Sequence, residues 1–375
     1  MKLEVNINTE ILAWAIDRAG FDFEEFTEKV PSIIDWIEGR NKPTLKQLED
    51  FSKKVYLPFG YLFLTEPPQE KLPIPFFRSN GDITEKVSIN VYDTILLLQQ
   101  RQDWLKNYLI DNEFEELPFV SRYHDSQDVF TIVNDIRDEL GLTKNWASRF
   151  KTWKDALNNL IEVIEDKGII TVFNGVVENN PWRPISVDDC RGFVLVDKIA
   201  PFLFVNNADG KAAQMFTIAH ELAHIWTGFS AGFDFRRLEP ASDSNERLCD
   251  QIAAELLVPK TEFIKVWEST QSIKDTSKYF KVSEIVIARR ALDTKKISRK
   301  EFFQFYEKYK NQVLFIKEKK PGGGNFYATA SKRLSVKFAT HVNKAVKSGQ
   351  LLYRDACKLT SMKGDTFNNY FANHL

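Results

Sequence analysis

Two of the five histidines in this chain, His220 and His224, are four positions apart, and Glu221 directly follows the first. An α-helix turns once in about 3.6 residues, so side chains four apart leave the same face and both imidazoles can reach one ion. Glu221 then stands where its carboxylate can take a proton from a water at that ion as general base. A third ligand is available at Glu246, 22 residues after His224. Two imidazoles and one carboxylate leave a fourth position open for water, which makes zinc the expected ion. The alternative is an ordinary amphipathic helix with solvated histidines. The small or apolar neighbours Ala219, Leu222, Ala223 and Ile225 speak against it, because they suit a buried helix.

The stretch from Glu246 to Leu257 reads as a second helix capped near Ser242 or Ser244, on which Glu246 and Asp250 again share a face. Glu246 can therefore bind metal while Asp250 accepts the outer N–H of a ligating histidine and fixes its tautomer. Asp250 itself, or Cys249, is the substitute ligand. Arg236 and Arg237 are candidates by position for stabilising an oxyanion.

These side chains need positioning elements. Lys211 to Thr227 reads as one helix, opened by Asp209-Gly210 and stopped by Gly228. Upstream, Gly168 to Phe173, Gly192 to Val196 and Phe202 to Val205 are β-rich runs bounded by turn formers, so a small sheet leads into that helix. The run Phe202 to Val205 is expected to accept an extended substrate as an added strand. Val87 to about Leu160 follows a helical period. His124 is a lone histidine expected in a surface or packing role, and His341 and His374, which lack partners at ligand spacing, are expected at the surface.

Turn formers mark linkers at Pro67-Pro68, continuing through Pro73 and Pro75, and at Lys319 to Gly324. The expected division is 1–66, a helical module; 67–160, a linker and helical region; 161–270, the metal-site domain; 271–316, a helix-turn-helix-like module; and 317–375, a basic helical tail. Within the tail, Ser331 to Lys347 reads as a single helix. The fold class expected is α+β, mainly α, with basic helical C-terminal modules.

The net charge of −1 hides a split. Lys260 to Leu375 holds 24 Lys and Arg against 10 Asp and Glu, a net of +14, so the first 259 residues carry −15. A basic third on an acidic body points to nucleic acid or an acidic partner, with Arg289, Arg290, Lys295, Lys296, Arg299 and Lys300 as candidate DNA or partner contacts. Residues 1–66 carry 8 basic and 12 acidic side chains, which opposes DNA attraction there. No run is apolar enough for a membrane span, and three dispersed cysteines fit a reducing compartment, so a cytoplasmic location is expected. A homodimer is also compatible with the sequence.

Phe216 to His224, then Glu246 to Asp250 and Ala253 to Pro259, resemble the ImmA/IrrE family of metallo-endopeptidases over roughly residues 160 to 295. That resemblance implies a zincin-like, specifically gluzincin-like, active site and limited proteolysis of helix-turn-helix repressors. Relatives of this layout are similar to antitoxins of toxin–antitoxin and phage-defence pairs. Asp35 to Gly39, Pro43-Thr44, Leu45, Leu48 and Phe51 resemble the later helices of the XRE helix-turn-helix family, though the segment between Glu28 and Ile34 is short for it. The expected function is a regulatory zinc endopeptidase cutting a repressor-like or toxin partner. The alternative is an antitoxin or DNA-binding regulator whose peptidase fold mainly binds a toxin. A third reading is a zinc-stabilised protein without catalysis.

Overall fold

A computed structural model describes residues 4–71, 74, 76–77, 87–229, 231–233, 244–316 and 326–375. The linker residues Pro73, Pro75 and Lys319 to Gly324, and Arg236 and Arg237, lie outside the described residues. The chain divides into two compact units, one of Met1–Pro73 with Glu85–Asp93, the other of Ile74–Thr84 with Thr94–Leu375.

The first unit holds α1 (Thr9–Arg18), α2 (Phe23–Lys29), α3 (Ser32–Ile37) and α4 (Leu45–Lys54). Each of three helix starts is fixed by a side chain accepting from an otherwise orphaned amide: Asn8 from Glu10, Asp22 from Glu25, and Thr44 from Gln47 in a capping box. Ile11, Leu12, Ile16, Phe26, Trp36, Leu48 and Phe51 turn inward and form a separate small core. The half-buried pair of Arg18 with Glu70, at 2.8 Å, ties the last turn of α1 to the chain beyond α4.

The second unit begins with β1 (Phe76–Phe77) and the greater part of α5 (Ile89–Asp111). There follow α6 (Val129–Leu140), α7 (Trp153–Asp166), β2 (Ile170–Asn174), β3 (Val176–Val177), β4 (Asn180–Pro184), β5 (Gly192–Leu195), β6 (Phe202–Asn206) and α8 (Lys211–Thr227). After β7 (Ala231–Phe233) the chain is helical: α9 (Ser244–Leu257), α10 (Lys260–Thr270), α11 (Ile273–Phe280), α12 (Glu284–Asp293), α13 (Arg299–Ile316), α14 (Phe326–Leu334), α15 (Val336–Lys347), α16 (Tyr353–Leu359) and α17 (Gly364–Asn373). The fold is mainly helical around a small mixed sheet, in keeping with a zincin-like peptidase. Among the described residues no helix is long and apolar enough to cross a membrane.

Five strands form one sheet in the order β1-β7-β5-β6-β2. β2 runs parallel to β6, and β5 is antiparallel to both β6 and β7. Every residue of β2, β5 and β6 is buried. Covering both faces of a sheet turns its strands into continuous apolar runs. Leu203 and Val205 join the core shared with α8 and α9, while Phe202 meets Phe338 of α15 edge-on at 5.8 Å. β6 is hydrogen-bonded on both sides and has no free edge. This corrects the expectation that Phe202 to Val205 would pair with a substrate strand.

The C-terminal helices supply the second cover. The buried Arg101 of α5 donates to the Leu359 carbonyl at 2.8 Å, and Trp104 packs edge-on against Phe338. The single helix expected over Ser331 to Lys347 is broken at Ser335, which takes φ +68. Its hydroxyl donates to Glu165 at 2.7 Å and accepts from the Phe338 amide, so this one side chain anchors the break to α7 and caps the start of α15. His341 is likewise not a surface residue: it is buried edge-on between Tyr108 and Phe114. His124 packs on Phe229, with ring centroids 4.8 Å apart.

Two predictions arise from this packing. Burial, helped by Lys337 and Lys344, pushes the His341 ring down to about 4 from an ordinary 6.5. A depressed histidine binds fewer protons folded than unfolded, so its contribution to stability is complete above pH 6.5 and is lost progressively as pH falls to about 4. Thermal unfolding followed across that window should show the loss, and His341→Phe should flatten it. The second concerns Gly192, where a Cβ would lie 2.3 Å from the Thr217 methyl and 2.9 Å from the Phe204 carbonyl. Gly192→Ala is expected to destabilise by about 1–3 kcal/mol in denaturant titration, the cost of overpacking a filled core.

Candidate metal centre

Helix α8 runs over the residues that the sequence implied, and its C-terminal stop is physical. Gly228 adopts φ +86, a left-handed conformation that closes the helix, and any Cβ there would strike the Ser121 hydroxyl at 2.6 Å. From Thr217 to Thr227 every residue is buried. The helix lies between the sheet and α9, so His220 and His224 project into the protein interior.

The structure brings His220, His224 and Glu246 together. Nε2 of His220 is 3.1 Å from Nε2 of His224 and 3.1 Å from one Glu246 oxygen, and Nε2 of His224 is 3.3 Å from the other. All the donor atoms fall within 4.8 Å of one another. Zinc–nitrogen distances of about 2.0–2.1 Å imply tetrahedral edges of roughly 3.3 Å, so the triangle of donors has the size that the ion requires.

The electrostatics agree. Burial raises the Glu246 carboxyl, but His224 and His220 outweigh it and hold the group well below the usual carboxylate range. Burial also works to lower both imidazoles. Hydrogen bonds to Asp250 and Glu246 hold His220 well above the histidine range, and Cys249 with Glu246 does the same for His224. The pocket thus demands positive charge beside a buried carboxylate. A divalent cation among the three donors would supply it.

His220 Nδ1 lies 3.0 Å from Asp250 Oδ1 and donates to it, which turns Nε2 toward the other donors. Cys249 is buried beside the His224 ring but is not among the grouped donors. Glu221 is fully buried, and neither of its carboxylate oxygens has a hydrogen-bond partner among the described residues. Burial pushes its carboxyl up to about 7, against the pull of the two histidines. Gly192 at the start of β5 makes room for this side chain, since a Cβ there would come within 3.2 Å of Glu221 Oε1. Only a glycine opening an apolar strand hinted at that role in the sequence.

The third ligand depends on how α9 ends. Arg137 donates to the Glu255 and Leu256 carbonyls, and Arg290 donates to the Ala254 and Val258 carbonyls and to the Glu255 carboxylate at 2.8 Å. Two guanidiniums therefore satisfy carbonyls that a helix terminus leaves orphaned. Arg290 is spent in this latch and is not presented to a nucleic acid, unlike its sequence reading. Arg289 pairs with Asp293 at 3.1 Å and Lys296 with Glu268 at 3.6 Å. Lys295, Arg299 and Lys300 are exposed.

Residues 183–292 match a peptidase M78 family model described as the IrrE N-terminal-like domain, and residues 334–374 match a model described as a domain of unknown function (DUF8813). No curated protein and no solved structure matches the chain. The first match covers α8, α9 and the whole donor set, so this region is similar to a metallopeptidase-type domain of a family that uses zinc.

Zinc titration followed by calorimetry should give one ion per chain, tighter as pH rises from about 6 to 8, with protons released to the buffer. His224→Ala or Glu246→Ala is expected to lose the ion. Asp250→Asn, which removes the acceptor behind His220, should weaken it by about 10- to 100-fold.

Proposed function

We propose that this chain is a regulatory zinc endopeptidase that makes limited cuts in a protein partner. The observation that carries the reading is the pairing of three converging donors with a buried carboxylate that has no hydrogen-bond partner among the described residues. His220, His224 and Glu246 would hold the ion. When bound, zinc supplies Lewis-acid polarisation of a scissile carbonyl and activation of water. Glu221, one residue from His220 and free of hydrogen bonds among the described residues, accepts the proton from the attacking water and delivers it to the departing amine. A carboxyl raised by burial is suited to both halves of that transfer near neutral pH. Asp250 keeps the His220 ring oriented throughout.

The partner class follows from the family resemblance: a helix-turn-helix repressor, or a component of a toxin–antitoxin or phage-defence pair. The net of +14 over Lys260 to Leu375 favours a second reading, in which the chain binds an acidic toxin or DNA and the peptidase fold serves mainly recognition. One experiment separates them. The intact protein and its Glu221→Gln form are incubated with the product of the adjacent gene, with zinc and with a chelator. Cleavage by the zinc-loaded intact form alone, with Glu221→Gln inert yet still holding zinc, supports the endopeptidase. Proteolysis retained by Glu221→Gln would refute the role given to that carboxylate, and a stable complex without cleavage would favour the binding reading.

A further inference from the structure

We propose that Lys154, Lys211 and Lys332 form a binding site for a phosphate-type oxyanion at the carboxyl ends of the parallel strands β2 and β6. The three lysines come from three elements: the first turn of α7, the first residue of α8 and the last turn of α14. Nζ of Lys332 donates to Asn158 at 2.8 Å, one helical turn along α7 from Lys154. Nζ of Lys211 donates to Gln214 at 3.1 Å. Both acceptors are neutral amides. Elsewhere in the chain lysines meet carboxylates, as in Lys106 with Asp197, Lys167 with Glu139 and Lys278 with Asp275. For Lys154, Lys211 and Lys332, no carboxylate partner is present among the described residues.

Like charges held together without a counter-charge raise the energy of the charged forms, and Lys211 and Lys332 register this. Burial lowers Lys211 and Lys332, and the neighbouring ammonium groups lower them further: Lys154 acts on both, and Lys211 also acts on Lys332. An anion bound among them relieves that repulsion. The backbone adds to the attraction. Gly210 caps α8 without a side-chain hydrogen bond, so the first amides of this 17-residue helix, which opens at Lys211, have no side-chain acceptor at the cap. α7 returns into β2 through the short turn after Asp166 and so places its N-terminal Lys154 toward the far end of that strand, next to the end of β6. Crevices beyond the carboxyl ends of adjacent parallel strands are where α/β sheets take ligands.

Three point-like ammonium donors suit a tetrahedral, multiply charged oxyanion. A planar carboxylate would instead favour the fork of an arginine. The site is also distinct from the metal centre, because Lys211 precedes His220 by nine residues, about 13 Å along α8.

The test uses the full chain in low-salt, phosphate-free buffer, with inorganic phosphate and a short DNA duplex as probes. Inorganic phosphate should raise the unfolding temperature of the parent protein saturably. The variant with Lys154→Gln, Lys211→Gln and Lys332→Gln together should be at least as stable without phosphate, since the repulsion is gone, and should lose the phosphate response. Lys332→Gln alone should weaken phosphate by roughly 10- to 100-fold, and Lys265→Gln, on an exposed lysine elsewhere, should not. A duplex that displaces phosphate through the same lysines identifies a nucleic-acid backbone as the source, while binding of phosphate alone identifies a small phosphate-bearing ligand. The proposal is overturned if phosphate gives no saturable shift, or if the shift survives in the triple variant.

Discussion

A carboxylate held at the centre of the protein, within hydrogen-bond distance of two imidazoles, is the constraint around which the second unit is built. An ionised carboxyl away from water is costly unless positive charge stands beside it. Glu246 and the two histidines therefore have to be placed to within a few tenths of an ångström, and they come from different helices. The i, i+4 spacing sets the histidines, while only the packing of α9 on α8 sets the glutamate. The latch at the end of α9 serves the same purpose. Arg137 and Arg290 hold its last carbonyls and so fix the helix lengthwise, which fixes Glu246 at its other end.

The sheet contributes rigidity by being covered twice. α8 and α9 lie on one face, and the C-terminal helices, through Phe338 and the Arg101 contact to Leu359, close the other. The segment that reads as a basic tail is thus part of the wall behind the metal centre. Much of the positive charge preceding it is also internally matched, with Arg290 on Glu255, Arg289 on Asp293 and Lys278 on Asp275. The last two of these pairs fall inside Lys260 to Leu375 and are already subtracted in its net of +14, so only the pair of Arg290 with Glu255, which lies outside that stretch, lowers the charge left to attract a partner.

Local rules made the metal helix legible. Glycine bounds, helical period and the four-residue spacing of His220 with His224 and of Glu246 with Asp250 are all encoded within a few turns. What escaped the sequence is non-local. The run Phe202 to Val205 invites reading as an available strand, yet its unbroken apolarity reports two covered faces and two hydrogen-bonded neighbours. The break at Ser335 is invisible to periodicity because the reason for it, Glu165, lies 170 residues away. His341 lacks a ligand partner, which correctly excluded it from the metal site, but polarity alone misplaced it at the surface when its surroundings are aromatic. Arg290 was misjudged for the same reason, since nothing near it in sequence shows that Glu255 and two carbonyls await it.

Glu221 is the residue that favours the proposed catalytic role over a structural one for the centre. A structural zinc site is normally closed by four protein ligands. Among the described residues three donors converge, and Cys249 stays out of the group although it is adjacent to His224. Glu221 does not fill the gap either, and both of its oxygens lack partners among the described residues. A buried carboxyl without hydrogen bonds is a standing cost of roughly 1–3 kcal/mol per unsatisfied group. Folding alone would favour an apolar residue at this position, packed against Gly192 and the sheet. A fold that carries the cost beside three metal-type donors has the composition expected of the reacting site proposed above, in which the unspent acceptor would serve a water and a substrate.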